Sequence, residues 1–128
     1  MNERDRQSIE QACARLVTAF HVHIDAFEHD AVLNLFADDA TLEDPFGSAA
    51  IRGNAAIHEF YARAMQGGAK LALTGPPRLA GDAVAFPFTA NVPAANIAID
   101  IIDVFRFDAD GKVASMQAFW GPGNVRTV

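Results

Sequence analysis

Hydrophobic positions along the first half of the chain recur at helical spacing. From Asp5 to Phe27 they are Ile9, Cys13, Leu16, Val17, Phe20, Ile24 and Phe27. Steps of three and four predict one amphipathic helix there. His29 to Ala37 carries Val32, Leu33, Leu35 and Phe36, which predicts a second, shorter helix. Ala40 to Pro45 then switches to alternation, the period of a strand. Pro45-Phe-Gly-Ser48 is turn material, and Ile51-Arg52 reads as a brief paired segment. Asn54 is placed to cap a third helix, about Ala55 to Met65, with Ile57, Phe60, Tyr61 and Ala64 inward. Gly67-Gly68 ends it. The second half alternates: Lys70 to Thr74, Ala83 to Val92, Ile97 to Phe107 and Lys112 to Trp120 read as strands between Gly-, Pro- and Asp-rich turns. Three helices followed by antiparallel strands predict an α+β fold, a curved sheet wrapped on the helices.

Two acids break this pattern. Ala40, Leu42 and Asp44 share one side of the first strand, so Asp44 points where the apolar residues point. Pro45 has no amide proton and ends the pairing just after it. In the strand from Ile97 to Phe107, one face reads Ile97, Ile99, Ile101, Asp103, Phe105, Phe107. Asp103 interrupts an otherwise apolar row. A carboxylate turned inward is costly unless it is paired, neutralised or used.

Composition narrows the function classes. The chain has 128 residues, the size of one domain spanning 1–128, with 51% hydrophobic residues. A net charge of −6 argues against a nucleic-acid surface and against an anionic membrane as partner. The single cysteine, Cys13, excludes an internal disulfide and fits a reducing, cytoplasmic setting. The charged start Met-Asn-Glu-Arg-Asp-Arg lacks the apolar stretch of a signal peptide, and no apolar run is long enough to span a bilayer. Ten phenylalanines against one Tyr and one Trp predict an interior of flat apolar walls.

If both acids line one cavity, their environments differ. Asp44 sits at a strand end near a turn, open to water or ligand. Asp103 sits mid-strand among Ile and Phe, where desolvation disfavours its ionised form. One acid ionised as a base and one neutral as a hydrogen-bond donor would suit proton abstraction beside a carbonyl. The structural alternative is two buried acids bonded to backbone amides.

Phe36-Ala-Asp-Asp-Ala-Thr-Leu-Glu-Asp-Pro-Phe-Gly-Ser48 resembles the central motif of bacterial ketosteroid isomerases (steroid Δ5-isomerases), within the NTF2-like and SnoaL-like superfamily. Arg52 to Tyr61 is similar to the helix that follows that motif, and Ile102 to Phe107 and Gly111 to Met116 to the last two strands. The resemblance implies a cone of curved antiparallel sheet closed by three helices, a homodimer formed through the sheet, a small apolar steroid-like ligand and no cofactor. It implies Asp44 as the base that carries a proton from C4 to C6 of a 3-oxo-Δ5-steroid, and Asp103 as the protonated acid of the oxyanion hole. That division of labour is the established one for the family. Tyr61 matches a tyrosine that supports the catalytic one; Phe60, Phe88, Met116, Ala118 and Trp120 match pocket walls. The family's catalytic tyrosine falls on Phe20 in an ungapped alignment, or on Leu16 if Ala14-Arg-Leu-Val17 is aligned instead. Neither has a hydroxyl, and losing one oxyanion donor costs about 10²- to 10³-fold in rate. The implied activity is therefore a weakened isomerase, with His23 or Tyr61 as candidate replacement donors. The alternatives are a related cyclase, dehydratase or hydrolase, or a module that binds a steroid-sized ligand without turnover.

Weaker signals read as structure. His21, Asp25 and His29 at spacings of four resemble a metal face, but any polar helical stripe gives that spacing, and no metal is expected. Asp38-Asp39 reads as a helix-end turn. Trp120 near the end of the last strand reads as a pocket lip or a dimer contact.

Overall fold

The computed structural model describes residues 3, 4, 7, 35–66 and 68–128. The predicted first helix apart from residue 7, most of the second, and with them Cys13, Leu16, Phe20, His21, His23, Asp25 and His29 lie outside the described residues. The described elements are β1 (Phe36–Glu43), β2 (Ile51–Arg52), α1 (Asn54–Met65), β3 (Lys70–Leu73), β4 (Arg78–Ala80), β5 (Ala83–Val92), β6 (Ile97–Phe107), β7 (Val113–Phe119) and β8 (Val125–Thr127). They form one eight-stranded sheet in the order β2-β1-β7-β6-β5-β3, with β4 on β5 and β8 on β6. The α+β class is as the pattern predicts. One pair departs from the antiparallel expectation: β1 runs parallel to β7, with Leu42 opposite Met116 and Glu43 opposite Gln117.

The central hairpin is long because its sequence alternates without interruption. β5 and β6 pair over ten residues, from Ala83 opposite Arg106 to Val92 opposite Ile97. Val84, Phe86, Phe88 and Ala90 on β5 and Phe105 and Phe107 on β6 are buried. The Phe86 and Phe105 rings stack at 5.4 Å. At ~25 cal/mol per Å² of apolar surface removed from water, each such phenylalanine stabilises the fold by about 1.5–3 kcal/mol. Thr89 donates its hydroxyl to Asp100 at 2.9 Å, and Arg126 grips the same carboxylate at 2.8 and 3.0 Å, tying β8 to β6. That pairing, chiefly the Arg126 contact, holds the Asp100 carboxyl down at about 2.

Three expectations are corrected at the start of the sheet. Phe36 and Ala37 belong to β1, not to a helix, and Asp38-Asp39 lie within that strand rather than in a turn. Between Phe36 and Thr41 the register with β7 shifts, and this irregularity lets both acids face solvent instead of the core. Asn54 does not cap the helix. Gly53 precedes it with φ 87°, a left-handed conformation that costs glycine little, and no side-chain cap is made. Asn54 instead donates its amide to Asp38 at 3.0 Å, joining α1 to β1. Ile57 and Tyr61 face the core as predicted, with Phe60 half-buried, whereas Ala64 is exposed.

The sheet's other face keeps apolar residues in the open. Phe46, Ile102 and Phe119 are 54%, 49% and 41% exposed, and the Phe46 and Phe119 rings stack at 5.0 Å. With Pro87 they line a groove of about 580 Å³. Among the described residues no helix is long and apolar enough to cross a membrane.

Candidate functional site

Parallel strands end on the same side of a sheet. Because β1 and β7 are parallel and in register at Glu43 and Gln117, the residues that follow each strand emerge together. Asp44 follows β1 and Trp120 follows β7. Trp120 donates its indole N–H to Asp44 Oδ1 at 2.6 Å. The chain then stays against β7, with the Phe46 amide donating to the Ala118 carbonyl at 2.7 Å. Burial raises the Asp44 carboxyl above the usual range, and the Trp120 hydrogen bond opposes the shift by favouring the charged form.

Asp103 is set from the opposite direction. On β6 it lies opposite Phe86 of β5 and Ala118 of β7, and only 2% of it is exposed. Its Oδ1 is buried with no hydrogen-bond partner among the described residues. Desolvation, and then the charge of Asp44, push its pKa well above the usual carboxylate range. The carboxyl is therefore neutral under conditions where an exposed Asp is ionised, and a neutral carboxyl carries a proton to donate. Tyr61 is also buried. Burial first, then Asp103 and then Asp44, raise its phenol well above 10.

These groups meet at one cavity of about 280 Å³, near the lower end of the ~300–1,000 Å³ usual for small-molecule sites. Asp44, Phe60, Tyr61, Phe88, Asp103, Met116 and Trp120 all line it. Ala118 does not; it is buried behind the wall as the cross-strand neighbour of Asp103. Phe20 lies outside the described residues. Five further wall residues were legible as continuations of patterns already noted. Ala90 and Val92 extend the Phe88 face of β5, Ile99 and Ile101 extend the Asp103 face of β6, and Ala64 lies one helical turn beyond Phe60. Leu71 enters because β3 sets it opposite Ala90, a register no local pattern reveals. Among the described residues no group of His, Cys, Asp and Glu is arranged to hold a metal ion.

Such an arrangement can move a proton. It has an apolar cleft, one acid at the end of a strand with a hydrogen bond that favours its ionised form, and one acid kept neutral by burial. Comparison with known proteins agrees with the architecture. Residues 15–116 match the SnoaL-like domain family. The chain is 43% identical over 97 residues to the steroid Δ-isomerase of Nocardioides simplex, covering 74% of this chain and 78% of that protein. It is 33% identical over 106 residues to the epoxide hydrolase LasB of Streptomyces lasalocidi, covering 77% of this chain and 37% of that protein. The solved structure of SalBIII, described as an epoxide hydrolase/cyclase-like enzyme in pyran ring formation, superposes with a TM-score of 0.83 at 25% identity, covering 93% of this chain and 98% of that one. With a cone-like α+β fold, two inward acids on one apolar cavity and these relatives, the chain belongs to the SnoaL-like domain family and is ketosteroid isomerase-like.

Proposed function

We propose that the protein is a cofactor-independent isomerase that moves a double bond in a 3-oxo-Δ5-steroid or similar apolar ketone. The observation that carries this reading is the contrast between two acids on one cavity: Asp44, hydrogen-bonded to Trp120, and Asp103, 2% exposed with an unpartnered Oδ1 among the described residues. Asp44 removes the C4 proton, and the electron pair moves through C3 to the ketone oxygen. Neutral Asp103 donates a hydrogen bond to that developing oxyanion. Protonated Asp44 then delivers the proton to C6 and is restored as a carboxylate. Atoms and charge balance without water or a cofactor. This is the mechanism established for ketosteroid isomerases.

Phe20 stands where that family's catalytic tyrosine is expected, so the reaction is slow. Ultraviolet absorbance of the conjugated enone, followed in the parent and in Phe20→Tyr, tests both points. The parent turns over a 3-oxo-Δ5-steroid slowly, and Phe20→Tyr is faster by about tenfold or more. Absence of turnover from both proteins refutes the isomerase reading.

The relatives favour one second reading. LasB and SalBIII are named as epoxide hydrolase and epoxide hydrolase/cyclase-like enzymes. The same pair of acids suits epoxide opening, with Asp103 protonating the epoxide oxygen while Asp44 takes a proton from the attacking hydroxyl. An epoxy alcohol offered in place of the steroid separates the two readings.

The protein acts as a homodimer joined through the outer face of its sheet. Support comes from the exposed Phe46–Phe119 stack and Ile102, apolar surface of the kind that a second copy covers. Phe119→Asp should convert a dimer into a monomer by light scattering on a sizing column; a monomeric parent refutes the assignment.

A further inference from the structure

We propose that the cavity takes a ketone whose end remote from the carbonyl carries an apolar chain, a 3-oxo-steroid with its alkyl side chain in place, and that Ala90 sets this specificity. The inference rests on the isomerase reading above and narrows its substrate class.

β6 gives the cavity its length. Asp103, Ile101 and Ile99 are successive inward residues of that strand, and all three line the cavity. At ~3.3 Å per residue, Ile99 lies about 13 Å along the strand from Asp103. A fused four-ring ketone with its oxygen at Asp103 reaches most of that way, so its far ring lies near Ile99. Exposure rises in the same direction. Asp103 is 2% exposed, while Ile99 and, on the neighbouring strand, Val92 are half-buried. β5 and β6 stay paired up to Val92 and Ile97. The short turn that joins them, Pro93–Ala95 with Asn96 in the left-handed conformation, is exposed. Asp103 therefore stands deep, and the hairpin tip marks the outer end.

Ala64, Leu71, Val92 and Ile99 line the cavity and are each partly or fully open to solvent. Apolar surface continuous with a cavity is stabilised when a ligand removes it from water. A ketone ending in a hydroxyl or carboxylate sets a polar group against these residues, whereas an alkyl chain covers them. Ala90 gives the chain its path. β3, β5 and β6 place Leu71, Ala90 and Ile99 in one row across the sheet, and all three line the cavity. The row runs large, small, large. The single methyl of Ala90 leaves a trough between two branched side chains. Phe88, Ala90 and Val92 are successive inward residues of β5 that line the cavity, so the trough leads along the strand toward the outer end.

Two product-type ketones test this without turnover. Cholest-4-en-3-one carries a branched alkyl chain; androst-4-en-3-one has the same ring system without it. Each is offered from a cyclodextrin carrier, and affinity is corrected for partition into the carrier. Binding is read from the fluorescence of Trp120, the one tryptophan of the chain, which lines the cavity. The parent binds the side-chain ketone about tenfold or more tightly, the worth of about two buried methylene groups. Ala90→Leu fills the trough and removes most of that preference. Ala90→Val removes part of it, and keeps the test readable if leucine is not tolerated. A parent that binds the bare ketone equally well or better, or binds neither, overturns the proposal. A preference that survives both substitutions overturns it too, because Ala90 is then only wall. The enone assay with the Δ5 forms reports separately. A protein that turns over neither ketone and keeps an Ala90-dependent preference refutes the isomerase reading and retains the side-chain subsite. Turnover without that preference does the reverse.

Discussion

Asp44→Asn should abolish measurable steroid isomerisation while leaving ligand affinity within a few-fold of the parent. An amide has the size of a carboxylate, and its oxygen can still accept the Trp120 indole N–H that holds Asp44 at 2.6 Å. The cavity therefore keeps its shape. An amide cannot take up a proton from carbon at neutral pH. A positioned general base is worth about 10²- to 10⁴-fold, so on the proposed isomerase reading turnover falls near the uncatalysed rate. The enone absorbance assay gives the rate, and fluorescence titration with an apolar ligand gives the affinity. Undiminished turnover removes Asp44 from the base role. A parent that binds the ligand and never turns it over is a binding module, and the variant then changes only the charge on the cavity wall.

Asp103→Asn should produce the second large effect, on rate and on stability together. Turnover falls by about 10²- to 10³-fold, the usual consequence of losing a donor to a developing oxyanion. Stability changes through proton linkage. In the unfolded chain this carboxyl titrates near 3.9; in the folded protein burial and the charge of Asp44 hold the proton to much higher pH. The stabilisation that follows from this difference is complete below the unfolded pKa. As pH rises, the unfolded chain loses its proton first, so stability declines by up to about 1.4 kcal/mol per pH unit until the folded carboxyl ionises as well. Asp44, also raised, acts in the same direction to a lesser degree. The amide does not titrate, so the thermal midpoint of Asp103→Asn falls less steeply with pH than the parent's from about pH 4 upward. Parallel curves would show that Asp103 titrates alike in both states, contrary to its burial.

Both acids were legible in the chain because each broke an apolar row. Asp103 interrupts alternating Ile and Phe residues that leave β6 little choice of face, and the ends of β5 and β6 follow from turn residues on either side. The start of β1 was not legible. Val32, Leu33, Leu35 and Phe36 carry helical spacing, and only pairing with Val113 draws Phe36 into the sheet. β4 and β8, three residues each, form because long neighbours offer free edges at Ala83–Ala85 and Ile97–Ile99. No local signal of that length separates strand from loop. The contact between Trp120 and Asp44 was hidden for a similar reason. Trp120 was visible as an aromatic at a strand end, but its partner depends on a parallel register between residues far apart in sequence. Ala118 shows the converse: sharing a strand with Met116 does not ensure reaching the cavity.

The parallel pairing of β1 with β7 also bears on how the molecule is made. During synthesis β1 leaves the ribosome before the other described strands, with two-residue β2 the nearest of its described strand partners in sequence. Its main partner, Val113–Phe119, emerges only after every strand from β2 to β6. Contacts between distant segments form slowly, since a long loop must close before they are rewarded. The nascent chain can assemble the β5–β6 hairpin, and with it Asp103, while Asp44 still waits on an open strand edge. Premature termination before residue 113 would therefore leave a hydrophobic edge exposed to other chains, and Asp44 without the β7 register that brings Trp120 to it.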